Sequence, residues 1–432
     1  MSIQSQSYHL RDFTQSFAFR LATASFVVAA VFGAWAFYKN LPQTTKSVAP
    51  RAAVFSQKYG LSDKIRISMS GDRENVDPTV AWTGQNFLVV WMSGNDEGFD
   101  IHGSVVSPQG AVLTEDLVIS GAADEQYYPS VACGDTVCLV VWQDLRAGGA
   151  TSIYGARVAL DGKVLDPDGF PITVGERNRD RARIDWDGKN FLIVWQQENP
   201  APAQSDIVGA RVSPEGKVLD PDGILISGVE GNQNSPSLAW GKDEYLVVWT
   251  DHRFSDADHI YGAHLSAAGR VIEPEGTPIN WDEGDKRYPH VTWDGESFEV
   301  VWVHQNEATS ETQPQDAVIR GVTLSPVGLS PSLDLSEKKN FRTFPAVVSL
   351  GSSEDLVLWE EIRDNGGRGI YASLIDSRGE VEDLNRIEID PPTHPEDHRF
   401  VKGVKGGDAV LLVWHHHDEK GAIHGRVIAK KE

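Results

Sequence analysis

Residues 182–227 read ARIDWDGKNFLIVWQQENPAPAQSDIVGARVSPEGKVLDPDGILIS and contain four short strand-like segments in succession. The first ends at Trp186, and Asp187-Gly188 predicts a tight hairpin turn because glycine tolerates a positive φ and aspartate bonds its own backbone. The second, FLIVW at 191–195, is apolar at every position, which is typical of a strand covered on both faces. IVGARVS predicts the third strand and KVLDPDGILI the fourth, with the turn Pro214-Glu215-Gly216 between them.

The same unit recurs seven times along the chain, and each copy has a tryptophan at the end of its second strand. Successive tryptophans are 51 to 57 residues apart. A repeat of that length with four strands predicts one propeller blade per copy, since stacked sheets that close into a ring leave no bare apolar end. We therefore predict an all-β, seven-bladed β-propeller of four-stranded blades. The seven tryptophans are Trp91, Trp142, Trp195, Trp249, Trp302, Trp359 and Trp414.

The two ends of the repeat region predict how the ring closes. The last copy has room for a third strand at 422–429 but has no fourth. KIRISMS at 64–70 precedes the first full copy, as an unpaired outer strand would. One N-terminal strand and three C-terminal strands thus complete the seventh blade, which sets the propeller at 64–430.

The composition favours an exported β protein and disfavours a nucleic-acid partner. The chain has 62 acidic and 39 basic residues, which gives a formal net charge of −23. Lysine and arginine form no block that could follow a phosphate backbone, so nucleic acid is not expected as a partner.

The first 63 residues differ from the repeats. Residues 21–38, LATASFVVAAVFGAWAFY, form an uncharged run just long enough to cross a bilayer as a helix. We predict a transmembrane signal anchor there, with 1–20 as a cytoplasmic leader and 39–63 as a linker. Cleavage of a signal sequence near Ala36 is the alternative, and it would release the propeller as a secreted protein.

The two cysteines of the chain replace an aromatic pair of the repeat. Blades one, three, four and five carry aromatic residues at two fixed positions of their first hairpin, where blade two has Cys133 and Cys138. A four-residue connection that places the cysteines directly opposite each other brings them within reach of a disulfide. Two buried thiols that fill the aromatic space are the alternative. A disulfide favours an oxidising compartment, so we expect the propeller outside the cytoplasm.

Ligand contacts are expected in the loops that follow the tryptophans, because the strands are occupied by packing. Two of these loops share the pattern W-x-D-x-R, and blade six has a related one. Recurrence favours a structural ion pair at the strand end over ligand contact. The candidate ligand-binding residues on this face are Asp144, Arg146, Asp251, His252, Arg253, His304, Glu361, Arg363, His415 and His417.

No metal or cofactor is predicted. His415, His416 and His417 interrupt the repeat, but a strand places no more than two of them on one face, and no second cluster supports zinc or copper. The acidic turns at 166–169 and 220–223, both DPDG, have too few oxygens at the spacing of a calcium loop and are interpreted as turns.

Two segments depart from the repeat and are candidates for partner contacts. Blade five has a polar insertion, HQNEATSETQPQDAV at 304–318, and insertions in repeat arrays often lie on the binding face. A tolerated flexible loop is the alternative. ERNRDRAR at 176–183 adds local positive charge to an acidic chain, which suits either an acidic partner or pairing with its own carboxylates.

The unit WDGKNFLIVW followed by DIVGARVSPEGKVLDPDG resembles the repeats of bacterial secreted and envelope β-propeller proteins, over about 365 of the 432 residues. The resemblance implies the fold and an extracytoplasmic setting, and it brings no catalytic residues. We expect a single-pass protein of the bacterial inner membrane whose periplasmic propeller is a scaffold for an envelope protein or glycan. The alternative is a carbohydrate-active hydrolase or lyase that uses acids and histidines on the channel face, such as Asp144, Asp251, His252 and Glu361.

Overall fold

The second strand of each repeat is buried, as its unbroken apolar sequence predicts. The computed structural model describes residues 54–69, 73–95, 98–200, 203–254, 257–305, 317–337, 341–351, 354–363, 366–376, 380–382, 386–392, 400–416 and 421–431.

The predicted leader, the predicted span at 21–38 and the first part of the predicted linker lie outside the described residues. Within the described ranges, no helix is both long enough and apolar enough to cross a membrane.

Seven antiparallel sheets form the blades of a β-propeller, and the first strands of neighbouring blades contact one another around the centre. The prediction of seven four-stranded blades is confirmed. The described chain begins with α1 (Val54–Lys58), β1 (Tyr59–Leu61) and β2 (Ile65–Arg66). Blades one to three then comprise β3 (Glu74–Trp82), β4 (Phe87–Asn95), β5 (Gly98–Val106), β6 (Val112–Ser120), β7 (Gln126–Cys133), β8 (Val137–Asp144), β9 (Ser152–Ala159), β10 (Phe170–Thr173), β11 (Arg179–Trp186), β12 (Phe191–Pro200), β13 (Ala203–Val212) and β14 (Ile224–Ser227).

Blades four and five follow the same order, and the outer position of blade five is filled by two short strands, both paired with the third strand of that blade. Their strands are β15 (Asn232–Gly241), β16 (Glu244–His252), β17 (His259–Ser266), β18 (Thr277–Pro278), β19 (Asp285–Trp293), β20 (Phe298–Gln305), β21 (Ala317–Ser325), β22 (Gly328–Leu329) and β23 (Leu333–Asp334). Blades six and seven contribute β24 (Phe341–Gly351), β25 (Glu354–Ile362), β26 (Arg368–Asp376), β27 (Ile387–Asp390), β28 (Lys402–Gly406), β29 (Ala409–His416) and β30 (Ala422–Lys430).

Neighbouring blades pack face to face through buried apolar residues of all four strands. Leu139 and Val141 of blade two lie in the same buried cluster as Phe191 and Ile193 of blade three. All seven repeat tryptophans are at most 1% exposed. Because two neighbouring sheets together cover both faces of each blade, a second strand without polar positions is stable in this fold.

The first strands of blades one to six each contain a bulge at the same place in the repeat. A residue other than glycine has a positive φ at each bulge, and a proline follows it in every one of these blades except blade three. Proline lacks a backbone N–H, so placing it at the bulge removes no hydrogen bond from the pairing of the two strands. The bulge residues are Asp77, Tyr128, Arg181, Ser235, Tyr288 and Phe344.

The ring closes in the seventh blade, where β2 pairs with β30 opposite His424 and Gly425. The backbone N–H of Ile67 continues this pairing with a 2.8 Å bond to the carbonyl of Ile423. An N-terminal strand therefore completes the blade that three C-terminal strands begin, as the sequence predicts. β1 adds a second segment to the same edge, opposite Ile428 to Lys430.

The packed region includes residues 54–61, ahead of the predicted start at residue 64, because α1 and β1 belong to it. Phe55 is 5% exposed and Tyr59 is 6% exposed, and their rings stack with centroids 5.5 Å apart. The Tyr59 hydroxyl donates a 2.6 Å hydrogen bond to Glu354 of blade six, which also pairs with Lys58. Residues 54–61 thus form part of the propeller, although the sequence assigns them to the linker at 39–63.

The disulfide between Cys133 and Cys138 is present, as predicted. The two residues are direct partners at the end of the β7–β8 hairpin. The equivalent partners in blades one and three, Trp82 with Phe87 and Trp186 with Phe191, are ring pairs with centroids 4.8 and 4.6 Å apart. A covalent link thus replaces an aromatic contact in blade two.

Candidate functional site

A polar pocket of about 550 Å³ opens on the face where the second strands connect to the third strands in blades three and four. It lies between the β12–β13 hairpin, the start of β15 and the bulge of β19. The volume falls within the range of about 300 to 1,000 Å³ that is usual for small-molecule sites. The pocket lies on the face where the sequence predicts ligand contacts, but it is built from other residues.

Every residue that lines this pocket carries a polar group on its side chain. Oε1 of Gln196 accepts a 3.1 Å hydrogen bond from the backbone of Ser235, and Oε1 of Gln204 accepts one of 3.2 Å from the backbone of Gly231. These bonds connect blades three and four and fix the orientation of the two amides. The amide side chains that line the pocket are Gln196, Asn199, Gln204, Asn232 and Asn234.

Two arginines and two carboxylates also line the pocket. The Arg287 guanidinium lies 2.7 Å from Asp258, and Nδ2 of Asn178 donates a 2.8 Å hydrogen bond to Glu198. Arg181 is exposed, and none of the described residues forms a hydrogen bond or an ion pair with its guanidinium. Arg181 therefore offers hydrogen-bond donors to an incoming ligand.

A second pocket of about 270 Å³ adjoins the first and shares Arg287 and Tyr288 with it. Its wall is more apolar and includes Phe341 and Phe344. The rings of Tyr288 and Phe344 are 5.0 Å apart, and Phe400 of blade seven lies 4.4 Å beyond Phe344. An aromatic surface thus continues from the polar pocket across blades five to seven.

The W-x-D-x-R residues are part of the blade packing. The carboxylate of Asp144 is fully buried, accepts a 2.7 Å hydrogen bond from Nε1 of Trp142 and pairs with Arg146. Arg146 in turn lies over the ring of Tyr154. Blade four repeats this arrangement with Trp249, Asp251, Arg253 and Tyr261. Neither pocket is lined by the four predicted residues of these two loops, Asp144, Arg146, Asp251 and Arg253.

The remaining predicted residues lie at separate places on the ring. His252 is the one nearest to the pocket, since its Nδ1 lies 3.0 Å from Asp258. His304 is buried, and its Nε2 lies 3.0 Å from Arg320.

In blade six, Glu361 is buried, and its carboxylate forms an ion pair with the Arg342 guanidinium at a distance of 3.1 Å. Arg363 lies over the ring of Tyr371 and hydrogen-bonds its hydroxyl. Among the described residues, the predicted candidates thus lie in five different blades rather than around one pocket.

His415 and His416 are buried at the end of β29, and His417 lies outside the described residues. The ring of His415 packs 5.6 Å from Phe400, and that of His416 packs 5.7 Å from His424. The two adjacent histidines thus have different neighbours.

The acidic turns pair with arginine inside their own blades. Asp166 lies 2.7 Å from Arg157, and Asp220 lies 2.8 Å from Arg211. Hydrogen bonds from these arginines lower the pKa of both carboxyl groups below the usual value. The turns also shorten the predicted fourth strand, since β14 begins only at Ile224.

The first strands bring four charged or titratable side chains together near the centre of the ring. Arg183 and His290 each stand two residues after a bulge, and the charges of Arg183 and Lys402 act on both Asp77 and His290. Burial raises the pKa of Asp77 and lowers that of His290 well below its usual value. Burial and the Arg183 charge lower the pKa of Lys402 to about 8. Two basic side chains, Arg183 and Lys402, thus lie near the centre of this acidic protein.

Sequence reasoning missed most of the residues that form the polar pocket, although Arg181 lies in the candidate segment 176–183. Most of the lining residues lie at the start of the first strand or at the end of the second, in three different blades, and Gln204 and Ser205 lie at the start of a third strand. One signal was visible, because the run QQEN after Trp195 is amide-rich where blades two, four and six have the charged runs QDLR, TDHR and EEIR. Arg181, Ser235 and Tyr288 share the bulge position of the repeat, which carries a different residue in each of these three blades.

Comparison with known proteins supports the fold and no activity. No family model matches the chain, and no curated protein matches it. A protein of unknown function from Dyadobacter fermentans DSM 18053 is 11% identical, covers 86% of this chain and 99% of its own, and has a TM-score of 0.51. The phage phi92 endosialidase is 7% identical over 86% of this chain and 69% of its own, with a TM-score of 0.52. At these identities the likeness shows the propeller fold alone.

Proposed function

We propose that this protein is a glycan-binding propeller of the cell envelope, and that the ligand occupies the polar pocket of blades three to five. The observation that supports this proposal is the wall of five amide side chains, with Arg181 available beside them. Sugar hydroxyl groups both donate and accept hydrogen bonds, and amides match them because they do the same. Tyr288 adds an aromatic ring on which the apolar face of a sugar can lie.

The concave shape favours a glycan over a protein partner. A stable protein interface needs about 1,200 Å² or more of buried surface with an apolar centre. The described face instead has its polar groups inside a pocket and its aromatic rings to one side of it. A sugar chain can occupy the polar pocket and extend along Tyr288 and Phe344.

The cysteine pair supports the envelope setting. A disulfide persists in an oxidising compartment such as the bacterial periplasm. Residues 21–38 are the proposed membrane anchor, and signal cleavage with secretion is the alternative. In either case the propeller meets glycans outside the cytoplasm.

Glycan hydrolysis is the competing function, because Glu198 and Asp258 both line the pocket. A glycosidase needs one carboxyl group that acts as an acid and a second that acts as a base or nucleophile. In this pocket Asn178 holds Glu198, while Arg287 and His252 hold Asp258. These partners favour a binding role for the two carboxylates.

The test is a glycan array probed with the full-length purified protein, followed by calorimetry on the best ligand. Arg181→Asn is suitable because asparagine tolerates the positive φ of 55° at this bulge. We expect Arg181→Asn and Asn234→Ala each to weaken binding by about tenfold or more. Arg270→Asn is the control, since Arg270 is exposed in a turn at the opposite end of blade four.

Absence of any bound glycan, or equal affinity in all variants, would refute the proposal. Product release from a bound oligosaccharide, abolished by Glu198→Gln or Asp258→Asn, would establish the hydrolase instead.

A further inference from the structure

Two acidic residues interrupt the apolar second strands of adjacent blades. Glu299 occupies the second position of the run in blade five, where the other six blades have leucine. Asp355 occupies the first position in blade six, where four of the other blades have an aromatic residue. These substitutions place two carboxylates where the repeat otherwise packs apolar side chains.

The two acids converge with a third between blades five and six. One carboxylate oxygen from each of Asp294, Glu299 and Asp355 lies within 4.8 Å of the other two. Glu299 is 3% exposed and Asp355 is 2% exposed, so two of the three are shielded from bulk water. Asp294 caps its hairpin by accepting bonds from the backbone of Glu296 and Ser297.

Hydroxyl groups surround the three carboxylates. The Ser297 hydroxyl lies 3.1 Å from Asp294 and 3.5 Å from Glu299, and the Thr323 hydroxyl lies 3.0 Å from Glu299. Oδ1 of Asp355 is buried and has no hydrogen-bond partner. A buried carboxylate oxygen without a partner is costly, and a cation would satisfy it.

We propose that Asp294, Glu299 and Asp355 bind a calcium ion that links blades five and six. All the side-chain donors here are oxygen atoms, which calcium prefers, and the cluster has no histidine or cysteine. Two oxygens bound to one Ca²⁺ at about 2.4 Å are at most about 4.8 Å apart, and the three carboxylates meet this limit. Ser297 and Thr323 offer further oxygens, and water completes the shell.

Calcium binding would also offset the repulsion among the three carboxylates. Burial and the neighbouring carboxylates raise the pKa of Glu299 to about 8 and that of Asp355 to about 7. A divalent cation would instead hold the groups ionised.

The proposed calcium site lies at one end of β19, and the same strand carries part of the polar pocket. Asp294 directly follows β19, and the same strand bears Arg287 and Tyr288 near its other end. Calcium binding would therefore stabilise the blade that supplies these two residues. This inference does not depend on the proposed glycan ligand.

The experiment uses the full-length protein, stripped with EDTA and dialysed, and measures Tm in CaCl₂, in MgCl₂ and in NaCl of equal ionic strength. We expect saturating Ca²⁺ to raise Tm by about 3 °C or more. Sensitised terbium luminescence from the surrounding aromatic residues gives a second readout. Glu299→Gln should abolish the calcium shift, whereas Glu296→Gln, an exposed neighbour in the same turn, should retain it.

The double variant Glu299→Leu, Asp355→Phe restores residues that other blades have at these positions. It should fold without calcium and show no calcium shift, which keeps the test valid if Glu299→Gln fails to fold. Wild-type protein without a calcium shift or a terbium signal would overturn the proposal. An equal Tm shift in MgCl₂, or a calcium shift that survives in the double variant, would also overturn it.

Discussion

Nε1 of Trp142 donates a 2.7 Å hydrogen bond to the carboxylate of Asp144, two residues further along β8. Residues at i and i+2 of a strand lie on the same face, so the pattern W-x-D places the carboxylate beside the indole. Arg146 completes the group by pairing with the same carboxylate. The motif thus satisfies the polar atom of a buried tryptophan within a single strand.

We expect Asp144→Ala to destabilise the protein by about 3 kcal/mol, because it leaves the indole N–H and the Arg146 guanidinium without their shared acceptor. Chemical denaturation would measure the change in the free energy of unfolding. Asp135→Ala, in an exposed position of the preceding hairpin turn, should cost less than about 0.5 kcal/mol. A loss below about 1 kcal/mol for Asp144→Ala would contradict this account.

The blades could be predicted from the sequence because their packing is periodic. Each repeat needs a tryptophan, an apolar second strand and a glycine-rich turn, and all three are visible in a single copy. The packing of residues 54–61 against the propeller could not be predicted because α1 is only five residues long. Such a short segment shows no periodicity, and Phe55 and Tyr59 are held by tertiary contacts with blades six and seven.

The pocket could not be predicted because it depends on neighbours in space. Gln196 and Asn234 belong to different repeats and meet only after two blades pack together. The W-x-D-x-R residues were candidates for ligand contact because they are charged and lie at the end of a strand. Their recurrence reflects a shared structural contact in blades two and four.

The disulfide and the aromatic pairs should be interchangeable. We expect Cys133→Ala, Cys138→Ala to lower the free energy of unfolding by about 2 kcal/mol, since the crosslink closes only a short loop. Cys133→Trp, Cys138→Phe should recover at least half of that loss, because blades one and three pack this ring pair at the same positions. Denaturation with and without reductant gives the measurement. The equivalence would be disproved if reductant left the free energy of unfolding of the wild type unchanged. It would also be disproved if the aromatic variant were no more stable than the alanine variant.

Ring closure should depend on Ile67. Its side chain is 2% exposed within the cluster shared by blades one and seven, and its backbone pairs with Ile423. Ile67→Ala should therefore cost about 2 to 4 kcal/mol in the free energy of unfolding. Met69→Ala is the control, since Met69 is 52% exposed and its truncation should be nearly neutral. Equal effects of the two substitutions would mean that the N-terminal strand does not secure the ring.

His424 should make the protein sensitive to acid. Burial, together with the charges of Lys64, His416 and Arg66, lowers the pKa of its imidazole to about 4. The unfolded chain binds this proton near pH 6.5, so unfolding is favoured as the pH falls from 6.5 towards 4. The stabilising contribution of the neutral imidazole is therefore complete above pH 6.5 and is lost below it.

The matched variant is His424→Tyr, because Tyr154, Tyr261 and Tyr371 occupy the equivalent position in blades two, four and six. A tyrosine side chain does not titrate between pH 4 and 8. Urea unfolding of both proteins at pH 8, 6 and 4.5 would give the difference in their free energies of unfolding. Relative to the variant, the wild type should lose about 2 to 3 kcal/mol over this range. Other acid-sensitive groups act equally in both proteins, so a difference that stays constant with pH would show that His424 is not the group responsible.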